Sequence, residues 1–340
     1  MAARSCLYAL VLFLAFQSTM IQANIVLTPP QCTPVPASFL DRIQFLLNLI
    51  IYRTEFFLRA STGRGIDDIA PGLVQGPVPI GATVAALDND TRRIIEELGL
   101  MGVGHIRFRY LSKLIRRNNL RIISRNCILV PVYRFFLKFT LLKTPIQRPL
   151  LNLSAGVFAA FANAAFFNTT LTPPYNAYGS TINFLIAATF ASSYLQQYYA
   201  GIIPLIVGND QQRLVSGMAL SEVAGYGVLR AQLYSRVNST VSPYTFTVGR
   251  FYNLSAELDN RLGGCGLKDE GLFVPLQLGA ENRTTSNVVP ADAYSLAYPR
   301  TEREILRIVF GTGNATRPGA IFPDGFIGTL FKLIVLLKLA

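Results

Sequence analysis

The chain has 340 residues, with 31 Lys and Arg against 19 Asp and Glu and a single His, for a formal net charge of +12. It is 51% hydrophobic and only 15% charged, which excludes a disordered or fibrous chain. A basic excess ordinarily points to nucleic acid or an anionic surface. Here it is local: no acidic residue falls between Leu98 and Asn209, ten Lys and Arg lie between Arg107 and Lys143, and +12 less those ten leaves +2. No base-reading or stacking module accompanies the charge, so nucleic acid is not expected as a partner.

Residues 1–23 read as a secretory signal peptide. Arg4 supplies the positive start, Cys6 to Phe16 the apolar run, and Ala23 the last residue before cleavage. The run is shorter than the roughly 20 residues a membrane span needs. Ser38 to Ala60 is the first predicted helix, with Asp41 as its cap and Phe45, Leu46, Leu49, Ile50, Phe56 and Phe57 on a broad apolar face. Ala70 to Thr83, rich in Gly and Pro, is a predicted loop. The second helix is predicted over Asp88 to Arg107, carried by Ile94, Ile95, Leu98 and Met101.

Residues 109–144 hold the basic segment. Arg109, Lys113, Arg117 and Arg121 recur every four residues, the pattern of a basic amphipathic helix on a membrane surface. The competing reading is a translated intron. A short helix is expected from Ser154 to Phe167, ended by Pro173 and Pro174. Ser180 to Val207 is almost wholly apolar, but Gln196, Gln197, Gly201 and Pro204 favour a buried bundle helix over a membrane span. Asp210 to Asn238 is the fourth long helix. Four long helices with one loop-rich crossover predict an all-α antiparallel bundle over 31–240. Residues 241–328 form a loop-rich C-terminal extension holding an amphipathic helix at Thr247 to Leu262. A second extension helix, at Thr301 to Phe310, opens with a Thr301/Glu304 capping box. Residues 329–340 are a hydrophobic tail too short to span a bilayer.

Seven N-x-[ST] sequons, at Asn89, Asn152, Asn168, Asn238, Asn253, Asn282 and Asn314, exceed the roughly two that composition gives by chance and favour glycosylation during secretion. Cys32, Cys127 and Cys265 remain after the leader. Cys32 and Cys265 either pair in an oxidising compartment or stay as buried thiols.

Chemistry has few candidates. A helical bundle holds a di-metal centre with a Glu from each of two helices and Glu-x-x-His from each of two others, because i and i+3 share a helix face. The sole histidine, His105, has Gly102 three residues before it. Glu222 is followed at that spacing by Gly225. Glu55, His105 and Glu222 therefore make a degraded fragment of such a centre, for iron or manganese if any metal. No nucleophile motif flanks His105, so no triad is expected. Gly311-Thr-Gly-Asn follows a helix rather than a strand, which excludes a phosphate loop.

Several stretches carry a family resemblance. They include Glu55-Phe-Phe-Leu, Ile69-Ala-Pro-Gly-Leu, Val103-Gly-His105 and Arg148-Pro-Leu-Leu-Asn-Leu-Ser154. Pro173-Pro-Tyr-Asn-Ala-Tyr178, Gly266-Leu-Lys-Asp-Glu-Gly-Leu272, the run from Pro299 to Gly311 and Phe322-Pro-Asp-Gly325 complete it. The chain resembles the plant desiccation-related proteins of the ferritin-like group over most of Gln31 to Gly328. The resemblance implies a ferritin-like four-helix bundle with a C-terminal extension, a location in or outside the cell wall, and a part in dehydration stress. It implies no settled reaction. Family members usually carry Glu where Gly102 stands, acids where Ile50 and Arg53 stand, and a short connection in place of 109–144. Only Glu55, His105 and Glu222 carry over. The expectation is a secreted, extracellular, glycosylated, stress-protective and non-catalytic protein without a cofactor, with cell-wall components or a second copy as partners. The alternatives are a di-iron or di-manganese enzyme acting on peroxide or iron, and a peripheral membrane binder using the basic segment.

Overall fold

The computed structural model describes residues 30–117, 145–269, 271–273 and 286–337, with side chains in the first stretch as far as Arg107. The expected leader, most of the basic segment, Cys127 and Asn282 lie outside the described residues.

Helix α1 (Phe39–Thr62) is capped by Ser38, not Asp41. The Ser38 side chain accepts from the Asp41 backbone amide, and the Asp41 carboxylate returns to Ser38, a reciprocal capping box. It stops at Gly63, whose φ of 75° no side-chain-bearing residue adopts easily. After the short α2 (Ile66–Ile69) the expected loop carries a two-residue strand, β1 (Val74–Gln75). Helix α3 (Asn89–Arg117) follows, ending ten residues beyond the predicted Arg107. Strand β2 (Ile146–Gln147) pairs in parallel with β1, Val74 opposite Ile146. This pairing fixes the chain on the far side of the basic segment to the loop after α2.

Helix α4 (Ala155–Ala165) precedes α5 (Thr181–Ile202), capped by the Ser180 hydroxyl, and α6 (Asn209–Tyr234). The extension supplies α7 (Val248–Gly263), α8 (Glu302–Val309) and α9 (Thr329–Leu336). The Thr301/Glu304 capping box forms as its residues predict.

The bundle is built from two helix pairs, α1 on α3 and α5 on α6, joined by α1 against α5. Helices α3 and α6 close it at Gly225, where a Cβ would stand 2.6 Å from the Leu98 side chain. Helix α5 is buried on nearly every side, as an apolar helix with no polar face must be. Among the described helices none is long and apolar enough to cross a membrane.

The extension does not hang free. Helix α8 packs on α7 and α5, and α9 on α1. The expected hydrophobic tail thus contributes to the core, through Leu330 and Ile334. Two side-chain ties fix it further. Arg42 on α1 pairs with Glu302 at 2.5 Å, and the Asn48 amide exchanges two 2.9 Å hydrogen bonds with the Ile327 backbone. Cys32 and Cys265 form a disulfide with an S–S distance of 2.06 Å, joining the segment before α1 to the end of α7.

Candidate functional site

At one level of the bundle all four long helices bring polar side chains together. Helix α1 contributes Arg53 and Thr54, α3 His105, α5 Tyr199, and α6 Ser221 and Glu222. The Arg53 guanidinium is fully buried and grips the Glu222 carboxylate with both terminal nitrogens, Nη2 donating to Oε1 at 2.9 Å and Nη1 pairing with Oε2. Nη2 also donates to the Leu98 carbonyl at 3.2 Å, and the guanidinium lies 5.4 Å from the Phe57 ring centroid. The planar fork of a guanidinium matches a carboxylate with two parallel contacts, which suits it to a pair in a water-poor interior.

His105 completes the cluster. Its Nδ1 lies 2.8 Å from Glu222 Oε1 and its Nε2 3.2 Å from Ser221 Oγ. An ionised carboxylate only accepts, so Nδ1 carries the proton and donates it to Glu222. Both ring nitrogens are thereby engaged by side chains from one turn of α6. Near them the Thr54 hydroxyl and the Tyr199 hydroxyl are buried without a hydrogen-bond partner among the described residues. Burial pushes the Tyr199 phenol well above its ordinary range, the Glu222 charge adds to this, and Arg53 opposes it.

Glu55 does not join this cluster. It stands two residues beyond Arg53, about 200° round the helix. Its carboxylate is taken by Arg148 Nη1 at 2.5 Å and Arg59 Nε at 2.9 Å. Of the three expected ligands, the fold brings together only His105 and Glu222.

Comparison with known proteins places this geometry in a family. No protein-family profile and no solved structure matches the chain. The ferritin-like catalase Nec2 of Nesocodon mauritianus is 38% identical over 313 residues, covering 89% of this chain and 90% of its own. The desiccation-related protein PCC13-62 of Craterostigma plantagineum is 34% identical over 301 residues, covering 88% of this chain and 86% of its own. The chain belongs to the desiccation-related, ferritin-like family.

A ferritin-like metal centre would have to be assembled from this donor set, and the set does not fit one. Of the four carboxylates and two imidazoles that such a centre uses, this family member places one Glu and one His at the bundle centre. Both Glu222 oxygens face the Arg53 cation, and a metal there would meet a positive charge instead of a second carboxylate. Where the family resemblance leads one to expect Glu, Gly102 leaves room for others: a Cβ on it would lie 2.0 Å from Thr54 Oγ1 and 3.4 Å from Arg53 Nη2. Among the described residues no group of three or more His, Cys, Asp or Glu is arranged to hold a metal ion.

Arg53 is the residue that sequence reasoning undervalued. It was legible as a departure from the family pattern, but not as the occupant of the centre. The available signal was the one basic residue in the largely apolar run from Leu46 to Phe57, together with a Gly on the facing helix.

The sequons divide by accessibility. Asn89, Asn168 and Asn238 are exposed, while Asn152, Asn253 and Asn314 are half-buried. Asn253 Oδ1 accepts the Leu272 amide at 2.9 Å, and Asn314 Oδ1 accepts the Thr316 amide at 2.9 Å.

Proposed function

We propose that this member of the family is a secreted, non-catalytic protein that acts as a protective or interaction scaffold under dehydration stress. One observation carries the reading: a fixed guanidinium, Arg53, lies against both oxygens of Glu222, the only carboxylate among the described residues at the bundle centre. Arg53 is paired with both Glu222 oxygens and both His105 nitrogens are hydrogen-bonded, which disfavours either residue as a metal ligand. Secretion is supported by the Cys32–Cys265 disulfide, a bond favoured in oxidising compartments, and by three exposed sequons. The dehydration role is supported by the similarity to the desiccation-related protein PCC13-62.

The second reading is an iron or manganese enzyme acting on peroxide, and it rests on the similarity to the ferritin-like catalase Nec2. Loading the purified full chain with iron(II) or manganese(II), followed by gel filtration, metal analysis and a peroxide-consumption assay, separates the two. The scaffold reading expects no stoichiometric metal and no peroxide consumption above buffer. Bound metal together with turnover abolished by Glu222→Ala overturns it. In a drying assay, a test enzyme dried with the full chain should keep more activity than with an equal mass of albumin. Equal protection counts against the scaffold role.

A further inference from the structure

Between the bundle and the elements added to it lies a second buried place of unlike character. Tyr52 on α1, Phe158 on α4, Phe190 and Tyr194 on α5, and Phe251 and Asp259 on α7 line a cavity of about 60 Å³. The spacings are helical. Phe190 and Tyr194 are one turn apart, and Phe251 and Asp259 two, so each helix turns a single face to the space. Phe161 and Ser255, both half-buried, stand where the cavity approaches the surface between α4 and α7.

Asp259 is the one ionisable carboxyl on the wall, and it is 5% exposed. Its Oδ1 accepts from the Tyr194 hydroxyl at 3.4 Å, the single hydrogen bond described for this carboxyl. The neighbouring cation does not claim it. Arg300 gives Nε to Gln197 at 2.8 Å and Nη2 to Asn260 at 2.9 Å, and its Nη1 lies 3.7 Å from Glu304. Asp259 therefore presents an oxygen with no described protein partner in an aromatic enclosure.

We propose that this cavity is a binding site for a small uncharged molecule, apolar but for one oxygen that accepts a hydrogen bond from the Asp259 carboxyl. Its size fits about two to four non-hydrogen atoms. It is equivalent to about two waters of liquid and well short of the roughly 150 Å³ in which an apolar protein cavity holds benzene. Its walls are aromatic and aliphatic, which disfavours a fully hydrated solute and rewards alkyl groups. The charge state agrees with the geometry. Burial, with the Asp269 charge added, raises Asp259 to about 8, against the pull of Arg300 and the Tyr194 hydrogen bond. At neutral pH the group is thus mostly a neutral acid able to donate through its proton. Tyr52, Tyr175 and Tyr194, the other titratable groups on the wall, are raised by burial and stay neutral throughout this range.

The test uses 2-propanol as probe, followed by saturation-transfer NMR on the full chain. At pH 6 its methyl signals should gain saturation. At pH 9 the apparent Kd should rise about tenfold, because the carboxyl must hold its proton to donate. Asp259→Asn, whose amide donates without titrating, should keep binding and lose the pH dependence. Ala187→Leu places a side chain in the cavity and should abolish binding. If that chain does not fold by circular dichroism, Ala162→Val, a smaller filling of the same wall, should weaken binding instead. Absence of saturation transfer at pH 6, or binding untouched by the filling substitutions, overturns the proposal. So does dimethylammonium that binds more tightly at pH 9 than at pH 6, which would assign the cavity to a cation.

Discussion

Besides Arg42–Glu302, helix α1 carries two buried ion pairs on opposite faces, and they are built differently. On the outer face Arg148 meets Glu55 with nothing left over. Its Nε donates to the Pro77 carbonyl at 2.8 Å, Nη2 to the Gly76 carbonyl at 2.9 Å, and Nη1 to Glu55, with Asp67 at 2.8 Å beyond it. Gly76 is obligatory here. Its φ is +138°, and a Cβ on it would stand 2.4 Å from the Arg148 carbonyl oxygen. On the inner face Arg53 meets Glu222 with loose ends: Arg53 Nε, the Thr54 hydroxyl and the Tyr199 hydroxyl have no hydrogen-bond partner among the described residues. Each buried orphan costs on the order of 1–3 kcal/mol. The outer pair is a saturated lock that clamps the loop after α2 to the strand after the basic segment. The inner pair neutralises a carboxylate without satisfying its surroundings, which identifies a replacement rather than an optimised structural network.

This contrast gives an order of effects in urea denaturation. Arg148→Ala should be the most damaging, at about 4 kcal/mol, because it removes one of the two cations on a buried carboxylate and strands two carbonyls. A loss below about 1 kcal/mol breaks the comparison. The double change Arg148→Met with Glu55→Leu should recover little, leaving about 3 kcal/mol lost, since the Pro77 and Gly76 carbonyls stay unpaired. Glu222→Ala should cost about 3 kcal/mol by leaving the Arg53 charge buried. The corresponding inner double change, Arg53→Met with Glu222→Leu, should return to within about 1 kcal/mol of the wild type, as apolar replacement of a buried pair often does. If the inner double stays as unstable as the outer one, the two pairs are alike after all. Ser221→Ala should be the mildest, about 0.5–1 kcal/mol, since it removes a single contact to a partly exposed imidazole.

The fold was far more legible than the site. The long helices announce themselves because burial against neighbours forces an apolar period, and the Thr301/Glu304 capping box is a local pattern that needs no tertiary knowledge. The end of α3 was misjudged because Gly102, Gly104 and His105 read as a helix terminus. Gly102 instead packs against the Thr54 side chain, and the helix runs on to Arg117. The capping role of Ser38 was missed by three residues for a related reason: serine and aspartate at N-cap and N3 are reciprocal partners, and either can be taken for the cap. The bundle centre was not legible, because Arg53 and Glu222 are 169 residues apart and nothing local couples them. Glu55 was grouped with the centre as an acid on the first long helix, but it stands two residues from Arg53, which on a helix is nearly the opposite side.

The packing of α8 and α9 against the start of the chain has a consequence for biosynthesis. Among the described elements helix α1 is the first long one to leave the ribosome, yet Arg42 waits for Glu302 and Asn48 for the backbone at Ile327, partners 260 and 279 residues downstream. At a typical elongation rate this leaves its apolar faces without their final cover for on the order of 15–60 seconds. A nascent chain of this protein is thus a prolonged client for chaperones, and a ribosome stalled after α7 would release a product whose first helix still lacks its closing partners.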